Sequence, residues 1–166
     1  MQRGGGMILA IDPGTTHSAY ALLKPDLSLQ EFGKIPNEEM LTVINGILFY
    51  IKPRPKVAIE MVASYGMAVG KDVFETCVWT GRFIQEADGL IQLIYRKDEK
   101  MNLCGSMRAK DSNIRQALID RFAQHDLKNG KGTKKKPDWF HGFHSDIWAA
   151  YAVGVTYHDL YLKSKP

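Results

Sequence analysis

Apolar residues first gather at Met7–Ile11, a β-favouring run that predicts a strand. "HSAYALL" at 17–23 is a second such run, broken by Lys24-Pro25-Asp26. "SLQEFGKI" at 28–35 alternates apolar and polar in the manner of a half-exposed strand. The turns DPGTT and KPD between them predict an antiparallel meander.

The period then lengthens. Leu41, Ile44, Ile47, Leu48 and Ile51 form a helical stripe. Asn37 is its expected cap, Glu38 and Glu39 suit its dipole, and Pro53 and Pro55 end it. "KVAIE" at 56–60 predicts a fourth strand. After a loop at 64–70, residues 71–87 read as a helix with Val73, Phe74, Cys77, Val78, Gly81 and Phe83 towards one side. "LIQLIY" at 90–95 predicts a fifth strand. Asp111-Ser112-Asn113 is expected to cap a helix reaching about Gln124, and a last helix is expected from about Ser145 to Lys163. The order β-β-β-α-β-α-β-α-α implies an α/β fold, a mixed sheet of five strands flanked by helices. No internal repeat or linker divides it, so residues 7–166 are expected to form one domain. Residues 1–6, "MQRGGG", are expected to be a flexible extension.

Composition narrows the class. The chain has 166 residues, 45% hydrophobic and 24% charged, as ordinary globular domains have. No apolar run approaches the roughly 18 residues that span a bilayer, so no membrane role is expected. Cys77 and Cys104 lack metal-ligand spacing and suit a reduced, cytoplasmic setting. Net charge is +4, and the positive charge gathers in the second half.

The candidate chemistry lies at the ends of elements. The first strand closes on Asp12, the fourth on Glu60, and Asp146 opens the last helix. If the two strands are parallel neighbours, both carboxylates emerge at the carboxyl edge, where open α/β sheets place their sites. Singly, Asp12 suits a turn before Pro-Gly, Glu60 a strand end and Asp146 a helix dipole. Together, three ionised carboxylates repel by about 4 kcal/mol per pair at about 4 Å and an effective dielectric near 20. A proton or a cation must relieve that. Oxygen-only ligands favour Mg²⁺ or Mn²⁺ over zinc. Two such ions about 3.5–4 Å apart can activate water and stabilise a leaving oxygen in phosphodiester cleavage.

The stretches "ILAIDPGTTHSAYAL", "VAIEMV", "TGRF" and "HSDIWAAYAVG" resemble the RuvC-type Holliday junction resolvases, the short, divergent phage members in particular. The resemblance runs from Met7 to about His158. It implies an RNase H-like fold, a homodimer, and nicking of four-way DNA junctions with Mg²⁺ or Mn²⁺, two ions per active site. By the same resemblance Asp12 would bridge the ions, with Glu60 and Asp146 on either side. One position departs from the family pattern. Three residues before its last aspartate the family usually carries Asp or His, and here stands Phe143. His144 is the expected substitute ligand, with His141 as the alternative.

Basic residues flank the helix expected at 111–124. Arg96, Lys97, Lys100, Arg108, Lys110 and Arg115 precede or open it, and Lys128, Lys131, Lys134, Lys135 and Lys136 follow it. Two such runs beside a phosphodiesterase site suggest a DNA track. The resemblance assigns Lys100 and Lys110 to DNA binding and Lys110 also to catalysis, where a lysine offsets transition-state charge. Tyr65 is the candidate for stacking on junction bases, whereas Phe74 is expected to pack in the core. Three other functions fit parts of the pattern. One is a nuclease for forks and flaps as well. Another is a non-catalytic DNA-binding module. The third is an actin-like sugar kinase, whose phosphate loop "IDPGTT" also resembles but whose second glycine-rich loop is missing.

Overall fold

A computed structural model describes residues 6–163. Residues 1–5 of the expected extension lie outside them. Strands β1 (Ile8–Asp12), β2 (His17–Leu23) and β3 (Leu29–Pro36) form the antiparallel meander. Helix α1 (Asn37–Tyr50) leads to β4 (Lys56–Met61), which lies parallel to β1 on its free side. Helix α2 (Lys71–Glu86) then returns the chain to β5 (Ile91–Tyr95), parallel to β4. The sheet order is β3-β2-β1-β4-β5. Three helices follow: α3 (Arg96–Cys104), α4 (Asp111–Phe122) and α5 (Ile147–Tyr157), the last running into a π turn, His158–Leu162.

Strand alternation divides the core in two. Leu9, Ile11, Tyr20, Leu22, Val57 and Ile59 face α1 and α2, where Met40, Ile44 and Phe83 meet them. Ile8, Ala10, Ala19, Ala21 and Ala58 face α5. Alanines let that helix sit close. A Cβ added at Gly154 would lie 3.1 Å from the Ala10 Cβ and 3.0 Å from Leu23. Every residue of α5 except Ala149 is buried, which is why it carries no polar stripe.

Several expectations need correction. Asn37 does not cap α1; Pro36 holds that position, and Asn37 is the first helical residue. Its side chain braces the DPGTT turn instead. Nδ2 donates to the Gly14 carbonyl at 3.0 Å, and Oδ1 accepts from Ser18 Oγ at 2.6 Å. Gly14 is tightly held there, since a Cβ would run into the His17 carbonyl oxygen. Phe74 is not in the core; it is 61% exposed, as is most of Val78, and α2 buries Thr76, Thr80 and Phe83. The last helix starts at Ile147, because Ser145 has a left-handed backbone (φ 51°), and it loses regular α geometry at His158. Helix α3 has no counterpart among the predicted elements. In "RKDEKMNLC" only Glu99 is buried, so no apolar stripe marks it. Asp98 accepts the Tyr95 N–H at 3.2 Å at its start, and Gly105, φ 67°, ends it. Among the described residues no helix is long and apolar enough to cross a membrane.

Candidate active site

Asp12 shares a face with Ile8 and Ala10, the face covered by α5. On β4, Glu60 shares that face with Ala58. Ile11 pairs with Ile59, so the next positions, Asp12 and Glu60, stand side by side at the carboxyl ends of two parallel strands. Helix α5 brings Asp146, its N-cap residue, to the same edge. The three carboxylates expected from sequence therefore lie at one end of the sheet.

A fourth carboxylate joins them. Glu99 lies one turn into α3, just past the carboxyl end of β5, and its side chain is fully buried. It faces Glu60, whose proton affinity its charge raises. Burial first, then the Glu99 charge, push Glu60 up to about 8, against the opposing pull of Arg96. Burial likewise pushes Glu99 up to about 8, with Arg96 opposing and Asp12 adding to the rise. Asp12 is raised well above the usual carboxylate range by burial, then by Glu60 and Asp146. Glu99 Oε2 is buried without a hydrogen-bond partner.

Two cations touch this cluster. The Arg96 guanidinium lies 3.4 Å from Glu99 Oε1 and bonds Asp111 through its other nitrogen. Lys34, on β3, donates to Asp146 Oδ2 at 2.7 Å and to Ser145 Oγ at 3.2 Å. Register explains its reach: Lys34 pairs with Ala19, which pairs with Asp12, so one row crosses the sheet to Asp12.

Phe143 is 1% exposed in an aromatic nest, 4.8 Å from Phe32 and 5.1 Å from both Phe140 and Trp148, ring centre to ring centre. His144 and His141 are exposed, and His141 Nδ1 lies 3.2 Å from the Lys131 carbonyl oxygen. Among the described residues no three His, Cys, Asp or Glu side chains, His144 included, stand in metal-holding geometry. Asp146 is drawn towards Lys34 instead. The donor chemistry fits hard divalent cations nonetheless. All four side chains offer oxygen, and one oxygen is buried with no donor.

The basic residues line a path away from this edge. Arg115 caps the Trp148 ring at 5.2 Å. The two form a common wall of a cleft of about 210 Å³ holding Arg96 and Asp146 and of one of about 560 Å³ holding Lys128 and Lys131. Beyond lies the loop bearing Lys134, Lys135 and Lys136, all exposed. Buried Asp138 organises that loop by accepting backbone N–H bonds from Gln124, His125, Asp126 and Trp139 at 2.7–2.9 Å. Arg108 and Lys110 are exposed between α3 and α4, and Lys100 is half-buried on α3. Lys110 directly precedes Asp111, the partner of Arg96. Tyr65 is 61% exposed in the loop after β4.

Sequence reasoning missed Glu99 and Lys34. The available signal for Glu99 was positional: it follows a parallel strand adjacent to β4, four residues past the strand's end.

The architecture has counterparts among solved structures. Thermus thermophilus RuvC in complex with Holliday junction substrate matches over 95% of this chain and 94% of its own, with a TM-score of 0.63 at 15% identity. A second Thermus thermophilus RuvC structure matches over 94% and 95%, with 0.62 at 18% identity. The fold is that of RuvC. No protein-family model matches the chain, and no curated protein matches it. The RuvC fold thus covers nearly the whole chain.

Proposed function

We propose that the chain is a metal-dependent, structure-selective DNA endonuclease that nicks four-way junctions by phosphodiester hydrolysis. Residues 7–166 would form one nuclease domain that works as a homodimer, in the cytoplasm. The observation that carries this reading is the crowding of Asp12, Glu60, Glu99 and Asp146 at the carboxyl edge of a RuvC-fold sheet. The junction in the Thermus thermophilus complex supports branched DNA as the substrate class.

Mg²⁺ or Mn²⁺, two ions per site, would activate water and stabilise the departing oxygen. Asp12, beside Glu60 and within the field of Asp146, would help to hold the ions. Glu60 and Asp146 would each serve one side. The clefts walled by Arg115 and Trp148 would receive the phosphate backbone, with Lys100, Arg108, Lys110, Lys134, Lys135 and Lys136 extending the track. Tyr65 would stack on bases at the junction centre.

The test is cleavage of a labelled four-way junction, a fork and a linear duplex, with Mg²⁺, Mn²⁺ or chelator. Paired, symmetric, metal-dependent nicks on the junction are expected. Cuts on every branched substrate would broaden the activity to forks and flaps. Binding without cutting in either metal would reject the nuclease.

A further inference from the structure

We propose that Glu99 is a fourth cation-facing carboxylate of this site, supplied by α3. The inference rests on the metal-dependent reading above. Phe143 is locked among aromatic rings and offers no oxygen. Glu99 offers two. It is fully buried, the one buried residue of a nine-residue polar helix, and it faces Glu60.

Two roles are open to a glutamate so placed. One is structural: to hold Arg96 and so dock α3. The geometry is poor for that. Arg96 reaches only Oε1, at 3.4 Å, and its other terminal nitrogen bonds exposed Asp111. Oε2 is left without any donor, and a buried oxygen in that state costs stability. The other role is to face a cation. Four carboxylates stand at this edge against two cations, Lys34 and Arg96, one of them shared with Asp111. Glu60 and Glu99 face each other, with Arg96 the cation beside them and Lys34 held by Asp146. A divalent ion there would satisfy the free oxygen and the charge together.

The experiment is Mn²⁺ binding to the full chain, followed by calorimetry and by the electron paramagnetic resonance of free Mn²⁺, with thermal melting in chelator alongside. Glu99→Gln keeps the shape and removes the charge. Expected are a roughly tenfold or greater loss of Mn²⁺ affinity for one ion, and a metal-free melting temperature equal to or above that of the parent. Glu99→Asp keeps the charge but withdraws it by one methylene, and should recover part of the affinity. Unchanged Mn²⁺ affinity and stoichiometry in Glu99→Gln, with or without a lower melting temperature, would make Glu99 the structural partner of Arg96 and overturn the proposal. Asp12→Asn separates the two readings. If it loses Mn²⁺ while Glu99→Gln does not, the nuclease reading stands and the role of Glu99 falls. If the parent chain binds no Mn²⁺, both fall.

Discussion

Asp12 and Glu60 owe their positions to strand parity, so their substitution should separate chemistry from grip. Asp12→Asn and Glu60→Gln are expected to slow junction nicking by about 10³-fold or more, the equivalent of about 4 kcal/mol in the transition state. Gel-shift affinity for the same junction should remain, because the basic track is untouched. Nicking at the parental rate would remove either residue from the reaction. The same crowding has a signature in stability. Glu60 and Glu99 are each pushed up to about 8, burial being the first cause, whereas an unfolded glutamate titrates near about 4.3. Between those values the folded chain binds more protons than the unfolded one. Metal-free stability should therefore fall as pH rises through that window and level off above it. Melting in chelator from pH 5 to 9 checks this, at about 2–4 °C per kcal/mol for a chain of this length. A rise instead would mean that both glutamates are ionised and well paired. Asp12 and Glu60 are legible in the sequence because each closes an apolar strand. Glu99 is not, because it is one acid among several charged residues, and only the fold selects it for burial.

Elements differ in how plainly they announce themselves. All five strands lie within a residue or two of their expected bounds, since period-two alternation and turn chemistry are local. Helix α3 is invisible in the sequence because its fully buried residue is an acid and its apolar contacts with the core are confined to partly buried Leu103 and Cys104 at its end. The face of α2 misleads for a related reason. Its buried side combines Phe83 with two threonines, Thr80 donating to the Thr76 carbonyl at 2.9 Å, while apolar Phe74 and Val78 lie on the exposed side. The lysine-rich stretch after α4 shows in the sequence only as a basic run, yet it is a built element around Asp138. Burial alone would raise that carboxyl, but the converging backbone N–H groups hold it well below the usual range. A loop so fixed presents its lysines in a set arrangement. Replacing Lys134, Lys135 and Lys136 together by Gln should weaken junction binding and flatten its salt dependence. The slope should shrink by about 0.9 for each phosphate that is no longer neutralised. An unaltered slope in binding isotherms from low to high salt would return these lysines to plain solvation.

At the scale of the whole molecule, the sheet separates two tasks. One face, under α1 and α2, is packed with large apolar side chains. The other, under α5, is lined with alanine and ends in carboxylates. That arrangement makes the helix placement depend on very small side chains. Gly154 touches β1 and β2 at close range, and Asp146 lies eight residues up the same rod, about 12 Å along its axis. The helix thus works as a lever whose fulcrum is a glycine. A methyl group at the fulcrum that tilts the rod by about 5° would swing its far end by about 1 Å, enough to spoil the alignment of reacting groups. Gly154→Ala should then lower the single-turnover nicking rate at least about tenfold while leaving junction affinity nearly intact. A parental rate in that variant would mean that the neighbouring Leu23 side chain yields and the rod stays in place. The tolerance of this site to change is set, on that account, by an atom that is not there, buried far from any reacting group.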